Sequence, residues 1–189
     1  VDFYLGHGVH GMTIMGILGE AHKRADDESL GLMHRVLKRV AGRIPVIVGV
    51  SSPGLKKLVE FSRQSMEAGA AGVMVAPLNN TKTDEAIAGY FSAVIGALGP
   101  SIPIALQDHP QVVGSNISTG TLQKIFESHP SIVMLKHEDC PGLRKLSAMR
   151  RAFDGTSRRR ISILVGNGAL YAAQELRRGA DGMMTGFSY

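Results

Sequence analysis

The segment SIVMLKHED, Ser131 to Asp139, runs four apolar residues directly into a lysine and three further polar, ionisable side chains. An unbroken run of Ile, Val, Met and Leu is typical of a strand buried on both faces, as in a parallel sheet covered by helices. Lys136 stands at the end of this run. Two interpretations are open: the lysine marks where the strand reaches water, or it is a reactive amine directed into a pocket.

Six other apolar runs of the same kind occur along the chain, and segments with helix signals separate them. The runs are GMTIMG (11–16), IPVIVGVS (44–51), GVMVAPL (72–78), IPIALQDH (102–109), ISILVGNG (161–168) and GMMTGF (182–187). Helices are predicted over 26–42, over 52–69 with Ser52 as N-cap and Pro53 in the first turn, and over 118–130 with Ser118 as N-cap. The repeating unit is therefore a strand followed by a helix.

Seven strand–helix units without a linker leave two architectures, a (β/α)8 TIM barrel or an open doubly wound sheet. Their even spacing favours the barrel, as one domain over 1–189. A barrel needs eight strands, yet the chain begins with VDFYLGHG, which reads as a helix, and stops soon after a strand. The sequence thus predicts a truncated barrel, incomplete at both ends, that lacks its first strand and its C-terminal helices.

Composition excludes several classes of protein. With 44% hydrophobic and 20% charged residues, disorder is not expected. No apolar run approaches the roughly 20 residues of a membrane span, there is no signal pattern, and the single cysteine, Cys140, fits a reducing compartment; we expect a cytoplasmic protein. The net charge of +5 comes largely from the basic segment 144–160, and only 5% of residues are aromatic. We interpret that segment as a solvated helix face or a subunit contact rather than a nucleic-acid surface.

Both architectures place active sites at the carboxyl ends of the strands. The residues at these ends are Glu20, Ser51, Ser52, Asn79, Asn80, Gln107, Asp108, His109, Lys136, His137, Glu138, Asn167 and Thr185. Alternation along a strand predicts that Ile132, Met134 and Lys136 share one face. If that face is the barrel interior, loss of hydration favours the neutral amine, which is the form that attacks a carbonyl group.

Two other interpretations of the same strand ends stay open at this point. Lys136 could face the helix layer and reach water along its own stem, as many strand-end lysines do. A metal site is the other possibility, because Asp108, His109, His137 and Glu138 offer oxygen and imidazole ligands. Neighbours in a strand point in opposite directions, however, so all four cannot face one ion.

Seven segments resemble, in the same order and spacing, those of a known family of class I aldolases. GVHGMTIMGILGEAHK resembles a strand that ends in Gly-Thr-Thr-Gly-Glu, IPIALQDHP one that reads Leu-Tyr-Asn-x-Pro, and IVMLKHED the strand of the Schiff-base lysine. GRIPVIVGVSS, EAGAAGVMVAPLNNTKTDE, ILVGNGAL and GADGMMTG match the remaining strands. The family is that of dihydrodipicolinate synthase and N-acetylneuraminate lyase, whose members are (β/α)8 barrels.

The resemblance implies an enzyme that forms an imine between Lys136 and a 2-oxo acid such as pyruvate. It implies no metal and no organic cofactor, and a homotetramer built from dimers. It places the substrate carboxylate at Ile17 and Leu18, with Gly166 and Met184 also at the substrate. Two hydroxyl residues of the family motif are replaced by Ile17 and Leu18, so only backbone N–H groups remain there to bind the carboxylate.

The other departures concern proton transfer and the second substrate. The tyrosine that shuttles protons in the family falls on Gln107, which is neither an ordinary general acid nor a base. A second tyrosine, contributed across the dimer contact, falls on Asn79, and the arginine that binds the aldehyde's carboxylate falls on Val112. Among nearby ionisable groups, Asp108, His109 and His137, we rank His109 first as the replacement, since an unperturbed imidazole titrates near neutral pH.

The sequence therefore predicts a carbon–carbon lyase or aldolase that works through a Schiff base on Lys136. True dihydrodipicolinate synthase activity is not expected, because the tyrosine and arginine positions differ. An alternative is a catalytically silent family member that binds a small carboxylate, which the missing proton relay would allow. A metal-dependent aldolase is a third reading, and it would require the carboxylates and imidazoles of the strand ends to converge.

Overall fold

A computed structural model describes residues 1–154 and 159–186. Over these residues it contains seven β-strands, and each lies inside one of the seven apolar runs predicted from the sequence. The strands are β1 (Met12–Ile14), β2 (Val46–Gly49), β3 (Gly72–Val75), β4 (Ile104–Asp108), β5 (Ile132–His137), β6 (Ser162–Val165) and β7 (Gly182–Met183). Phe187, at the end of the last predicted run, lies outside the described residues.

The strands form one sheet whose spatial order, β1 to β7, is the order of the sequence, and every neighbouring pair is parallel. An open doubly wound sheet reverses its strand order at a switch point, whereas a (β/α)8 barrel adds each strand beside the previous one. The fold is therefore that of a (β/α)8 barrel, of which this chain supplies seven strands, as predicted.

Helices connect the strands. They are α1 (Asp2–Gly6), α2 (Asp26–Val40), α3 (Leu55–Glu67), α4 (Asp84–Leu98), α5 (Pro110–Val113), α6 (Thr119–Ser128), α7 (Leu143–Phe153) and α8 (Ala172–Arg177), with short 3-10 turns at Ala21–Lys23 and Asn167–Ala169. Within the described ranges, none of these helices combines the length and the apolar character that crossing a membrane requires.

The predicted helix starts are right in one case and wrong in another. Ser118 caps α6, since its Oγ accepts a hydrogen bond from Thr121 N at 3.1 Å. Ser52 does not cap α3, which begins at Leu55 with Gly54 as its N-cap. The Ser52 hydroxyl instead accepts a hydrogen bond from Gly54 N at 3.3 Å, so it closes a turn ahead of the helix.

The hydrophobic core lies between the outer face of the sheet and the helices. Ile104, Leu106 and Leu135 point into it and meet buried side chains of the helix layer such as Leu146. Residues one position away in the same strands therefore point to the inner face, which is the barrel interior. The core thus fixes which strand-end side chains face the interior.

A β-bulge changes one prediction about β5. Its register pairs Ile132 with Ile104 and Met134 with Ala105, so Val133 has no partner and is 44% exposed. Because Ile104 and Ala105 point to opposite faces, Ile132 lies in the outer core and does not share a face with Lys136. Met134 and Lys136 do share the inner face, so the prediction for Lys136 survives although the one for Ile132 is wrong.

The basic segment 144–160 is not simply a solvated face. Arg150 is buried, and its guanidinium donates to Gly179 O at 2.6 Å, to Ile161 O at 2.9 Å and to the carboxylate of Asp181. This arginine ties α7 to the segments before β6 and β7. The expectation of a solvated helix face is wrong for Arg150, and residues 155–158 of the segment lie outside the described residues.

Candidate active site

The site is built on the inner face of β4 and β5. The register pairs Gln107 of β4 with Lys136 of β5, and Lys136 in turn with Leu164 of β6. Leu106 and Leu135, one position earlier, belong to the outer core. Gln107 and Lys136 therefore point together into the barrel interior at the carboxyl ends of their strands.

Lys136 is buried against a carboxylate. Only 8% of its surface is exposed, and its Nζ lies 3.1 Å from Oε1 of Glu138, which is itself 5% exposed. The two side chains meet because residues two apart in an extended chain point the same way. The amine of Lys136 is therefore held in a buried ion pair, and the side chain does not extend to bulk water as the alternative interpretation required.

Gln107 completes a row of three side chains. Its Nε2 donates a hydrogen bond to Oε2 of Glu138 at 2.7 Å, and only 2% of the residue is exposed. Each carboxylate oxygen of Glu138 thus has one partner, the Lys136 amine on one side and the Gln107 amide on the other. Charged acceptors make the stronger class of hydrogen bond, which favours this fixed geometry.

Gly166 provides the room that Glu138 occupies. A Cβ on Gly166, at the end of β6, would lie 2.5 Å from Glu138 Cγ and 2.7 Å from Glu138 Cδ, so any larger residue would displace the carboxylate. The backbone of Glu138 is also held: its N–H donates to Asp108 O at 2.8 Å, and its carbonyl accepts from Asn167 Nδ2 at 3.0 Å.

A second group of charged side chains lies on the outer face of the same two strands. Asp108 is fully buried, with Lys145 Nζ of α7 at 2.7 Å and His137 Nδ1 at 3.6 Å from its Oδ2. His137 Nε2 lies 3.0 Å from Gly142 O, and Lys145 is also 3.7 Å from Asp139. These side chains join the sheet to α7.

This arrangement corrects part of the proton-relay prediction. Asp108 and His137 lie on the face opposite to Lys136, so neither can replace the missing tyrosine. It also separates the candidate metal ligands, because Glu138 faces the barrel interior while Asp108 and His137 face the helices. Among residues 1–154 and 159–186, no group of three or more His, Cys, Asp or Glu side chains is placed to hold a metal ion.

His109 stays a prediction. It is half-buried at the N-terminus of α5, and its Nδ1 is buried without a hydrogen-bond partner among the described residues. Within that same part of the chain, no hydrogen bond or ion pair joins it to Lys136, Gln107 or Glu138. Among the described residues, the ionisable group paired with Lys136 is Glu138, which was predicted only as a strand-end residue and a possible metal ligand.

The other predicted substrate-binding residues, Ile17, Leu18 and Met184, lie in the segments that follow β1 and β7. Ile17 and Leu18 occupy the turn after β1, and a Cβ on Gly186 would lie 3.2 Å from Leu18 Cδ1, so this turn reaches the segment after β7. Met184 follows β7, and its N–H donates to Val165 O at 2.8 Å, directly before Gly166. Gln107, Lys136 and Gly166 thus converge on Glu138, whereas among the described residues no hydrogen bond or ion pair joins Ile17, Leu18 or Met184 to this group.

The sequence matches a family of known proteins. The model of the dihydrodipicolinate synthetase family matches residues 1–188, nearly the whole chain. The chain belongs to the dihydrodipicolinate synthetase family. A relative from Sorangium cellulosum named 4-hydroxy-tetrahydrodipicolinate synthase is 31% identical over 186 residues, which cover 98% of this chain and 59% of that protein.

Solved structures of family members share the fold. The crystal structure of dihydrodipicolinate synthase from Rhodopseudomonas palustris superposes with a TM-score of 0.94 at 45% identity, covering 98% of this chain and 62% of that one. YagE, a family member from E. coli K12 solved in complex with pyruvate, is 22% identical with a TM-score of 0.84, and the match covers 97% of this chain and 60% of that one. The chain therefore spans 59% to 62% of the length of these family members.

Proposed function

We propose that the protein is a class I aldolase-type lyase or synthase that forms a Schiff base between Lys136 and a 2-oxo acid such as pyruvate. One observation carries the proposal: in a member of the dihydrodipicolinate synthetase family, Lys136 is buried at the inner carboxyl end of β5 with its amine against Glu138. Burying an ammonium group costs free energy, so a lysine that only marked the end of a strand would be expected to keep its amine in water.

The chemistry that this lysine offers is carbon–carbon bond cleavage or condensation. Its neutral amine attacks the C2 carbonyl of the 2-oxo acid, and loss of water gives an imine. Once protonated, the imine nitrogen withdraws electrons from C3, so it stabilises the enamine that remains when a bond at C3 breaks. The same enamine attacks an aldehyde in the condensation direction.

The turn after β1 is our proposed site for the substrate carboxylate. The side chains of Ile17 and Leu18 offer no donor, but their backbone N–H groups donate to no acceptor within the described ranges. Free backbone N–H groups in a turn are an established way of binding an anion. We propose that Gly166 and Met184 border the same substrate from the ends of β6 and β7.

The aldehyde partner is proposed to differ from that of the synthases. Val112, which falls where the family resemblance expects an arginine, lies exposed on α5 and brings no charge. Gln107 likewise replaces the tyrosine of the proton relay. We therefore propose that the protein acts on another aldehyde or aldol adduct rather than as a dihydrodipicolinate synthase.

We also propose that the protein is a cytoplasmic homo-oligomer, a dimer or a tetramer. Family resemblance supports the assembly, and the lone Cys140 fits the compartment. Sedimentation of the full-length protein tests the assembly, and a monomer at micromolar concentration would overturn it.

Reductive trapping tests the proposed function. The full-length protein is incubated with borohydride and pyruvate, or with one of a small panel of other 2-oxo acids, and its intact mass is measured. We expect one reduced adduct per chain with at least one of these acids. Folded protein that traps none of them would overturn the proposal and favour the alternative, a silent family member that binds a small carboxylate.

A further inference from the structure

Among the described residues, Glu138 is the ionisable group paired with the amine of Lys136, at 3.1 Å from Nζ. We propose that Glu138 is the proton-transfer residue of imine formation, and that Gln107 is the positioning residue that holds it. This inference rests on the proposed function and deepens it. It assigns to the residue directly after the lysine's own strand the task for which the family resemblance expects a tyrosine on the neighbouring strand.

Location supports Glu138 over the other candidates. Asp108 and His137 face the helix layer, and among the described residues no hydrogen bond or ion pair joins His109 to Lys136, Glu138 or Gln107. A proton-transfer group has to lie within about 2.6–3.2 Å of the atom it serves, or within reach of it through one water. Among the described carboxylates and imidazoles, Glu138 meets this requirement at Lys136 Nζ.

Gln107 suits a partner that changes its charge. When Glu138 is ionised, the Gln107 amide N–H donates to it, as the 2.7 Å hydrogen bond shows. When Glu138 carries a proton, the carbonyl oxygen of a rotated Gln107 amide can accept from the acid instead. An amide is neither an acid nor a base, but it can hold a carboxyl group in one place through both of its protonation states.

The surroundings keep the carboxyl group in position before substrate arrives. The missing side chain of Gly166 leaves space for it, and Asn167 and Asp108 fix the backbone of Glu138. A group that is already in place needs no reorganisation during the reaction, which is a general source of catalytic efficiency.

The proposed step balances as follows. The ammonium of Lys136 gives one proton to the Glu138 carboxylate, which leaves a neutral amine and a carboxylic acid. The nitrogen lone pair then forms the bond to C2, the carbonyl π pair moves to oxygen, and a proton passes from nitrogen to that oxygen. Glu138 next protonates the hydroxyl, the C–O bond breaks, water leaves, and the protonated imine forms beside a carboxylate again.

An ion-pairing role alone predicts the opposite result on mutation. A carboxylate that only paired with the ammonium would hold Lys136 in its unreactive form, so removing its charge would speed attack on a carbonyl. A proton-transfer residue speeds the reaction, and general acid–base catalysis typically contributes about 10²–10⁴-fold. The sign of the change in rate therefore separates the two roles.

The first experiment compares rates of trapping in Glu138→Gln and in the full-length wild-type protein. The reductant is set so high that imine formation limits the rate, and the 2-oxo acid is one that the wild type traps. We expect Glu138→Gln to trap about 100-fold more slowly. The matched control is Glu175→Gln, which removes another buried carboxylate, on α8, and should trap at the wild-type rate.

A rate for Glu138→Gln equal to or above that of the wild type would overturn the inference and leave the proposed function intact. Circular dichroism and size exclusion verify that the variant is folded. If it is not, Glu138→Ala with added formate takes its place, since formate can enter the space left by the side chain. A formate-dependent rise in the rate supports proton transfer, and no rise in folded Glu138→Ala contradicts it.

Reductive methylation by formaldehyde separates this inference from the substrate proposal. Formaldehyde and cyanoborohydride form and reduce an imine on any accessible amine, whether or not the protein binds a 2-oxo acid. Peptide mapping should show methylation of Lys136 to be at least about 10-fold slower in Glu138→Gln, while Lys56, with a 90% exposed side chain, is unchanged. Equal or faster methylation of Lys136 in the variant would overturn the inference.

The positioning role of Gln107 is tested by non-additivity. Gln107→Leu removes the hydrogen bond to Glu138 and should slow trapping in the wild-type background. It should have no further effect when Glu138 is already glutamine, because there is then no proton-transfer group to hold. Equal slowing in both backgrounds would indicate a purely structural role and contradict this assignment.

Discussion

Two lysine–carboxylate pairs lie against the adjacent strands β4 and β5, one on each face of the sheet. The inner pair is Lys136 and Glu138, with 3.1 Å between Nζ and Oε1, and the outer pair is Lys145 and Asp108, with 2.7 Å between Nζ and Oδ2. Both are buried, and both lie at the carboxyl ends of the strands. They differ in the elements that they join and in their neighbours.

The inner pair joins Lys136 of β5 to a residue two positions later, directly after the strand, and therefore holds no separate elements together. Its neighbours are an amide that can donate or accept and a glycine that leaves space. The outer pair joins β4 to α7 and lies against the packed helix layer. The comparison shows that neighbouring residues of one strand can direct two buried pairs to opposite faces, and we propose that the inner pair serves chemistry and the outer pair stability.

Removing Lys136 should have the largest effect on activity. Lys136→Met keeps the length of the side chain but has no amine, so we expect trapping of any 2-oxo acid to fall below detection. The free energy of unfolding should change less than on loss of the outer lysine, because Glu138 keeps its hydrogen bond from Gln107. Intact mass after borohydride reduction measures the trapping, and urea denaturation measures the free energy of unfolding. Residual trapping in Lys136→Met would contradict the assignment of the inner pair as the reactive one.

Removing Lys145 should have the largest effect on stability. Lys145→Met leaves the carboxylate of Asp108 buried with His137 as its remaining ionisable partner among the described residues, and breaking a buried pair on one side typically costs about 3–5 kcal/mol. Trapping on Lys136 should persist in the folded protein. Chemical denaturation gives the free energy, and a loss below about 1 kcal/mol would show that the outer pair is not structural.

A double variant tests whether the two charges of the outer pair interact. Lys145→Met combined with Asp108→Asn removes both charges of the outer pair, so the cost of an unpaired buried carboxylate disappears. We expect the double variant to be more stable than Lys145→Met alone. A double variant that is as unstable as the sum of the two single variants would show that the charges do not interact.

Gly166→Ala should have an intermediate effect. The added methyl group would collide with Glu138 Cγ and Cδ and push the carboxyl group away from Lys136. We expect trapping to slow about 10-fold, with a loss of about 1–3 kcal/mol from overpacking. Gly31→Ala, at a glycine inside α2 where a Cβ meets no atom within 4 Å, is the matched control; it should trap at the wild-type rate and gain about 0.5–1 kcal/mol of stability from the better helix former. An unchanged rate for Gly166→Ala would show that the position of Glu138 does not matter.

The smallest effect concerns pH and Glu175, a buried carboxyl outside both pairs. Burial raises the pKa of Glu175 above its usual 4.5, and the charge of His137 opposes this only in part. The native state therefore binds this proton more tightly than the unfolded state, and it loses stability as the pH rises through the raised pKa. Glu175→Gln should gain in Tm relative to wild type as the pH increases from 4 to 8, and a pH-independent difference would contradict this.

Much of the fold could be predicted from the sequence, because strands buried on both faces appear as continuous runs of apolar residues. All seven runs became strands, and Lys136 was correctly placed at an inner strand end. The face of Ile132 could not be predicted, since the bulge at Val133 depends on pairing with β4. The burial of Arg150 also depends on partners about 30 residues away in sequence, which no local pattern shows.

The central carboxylate could have been found from the sequence. Glu138 lies two residues beyond Lys136, and the alternation that placed Met134 beside the lysine applies equally in the forward direction. The prediction of His109 rests instead on its closeness in sequence to Gln107, the position of the lost tyrosine. What the sequence could not show is that Gln107 and Glu138 touch, because that contact depends on the register between β4 and β5.

Peptide mapping of the trapped adduct tests the central claim most directly. Full-length protein is reduced with borohydride in the presence of a trapped 2-oxo acid, and the peptides that carry Lys136 and Lys145 are compared in one digest. The two lysines belong to neighbouring buried pairs, so each is an internal control for the other. We predict that the adduct lies on Lys136 and not on Lys145. An adduct on Lys145, or one spread over exposed lysines, would contradict the assignment of the inner pair as the reactive one.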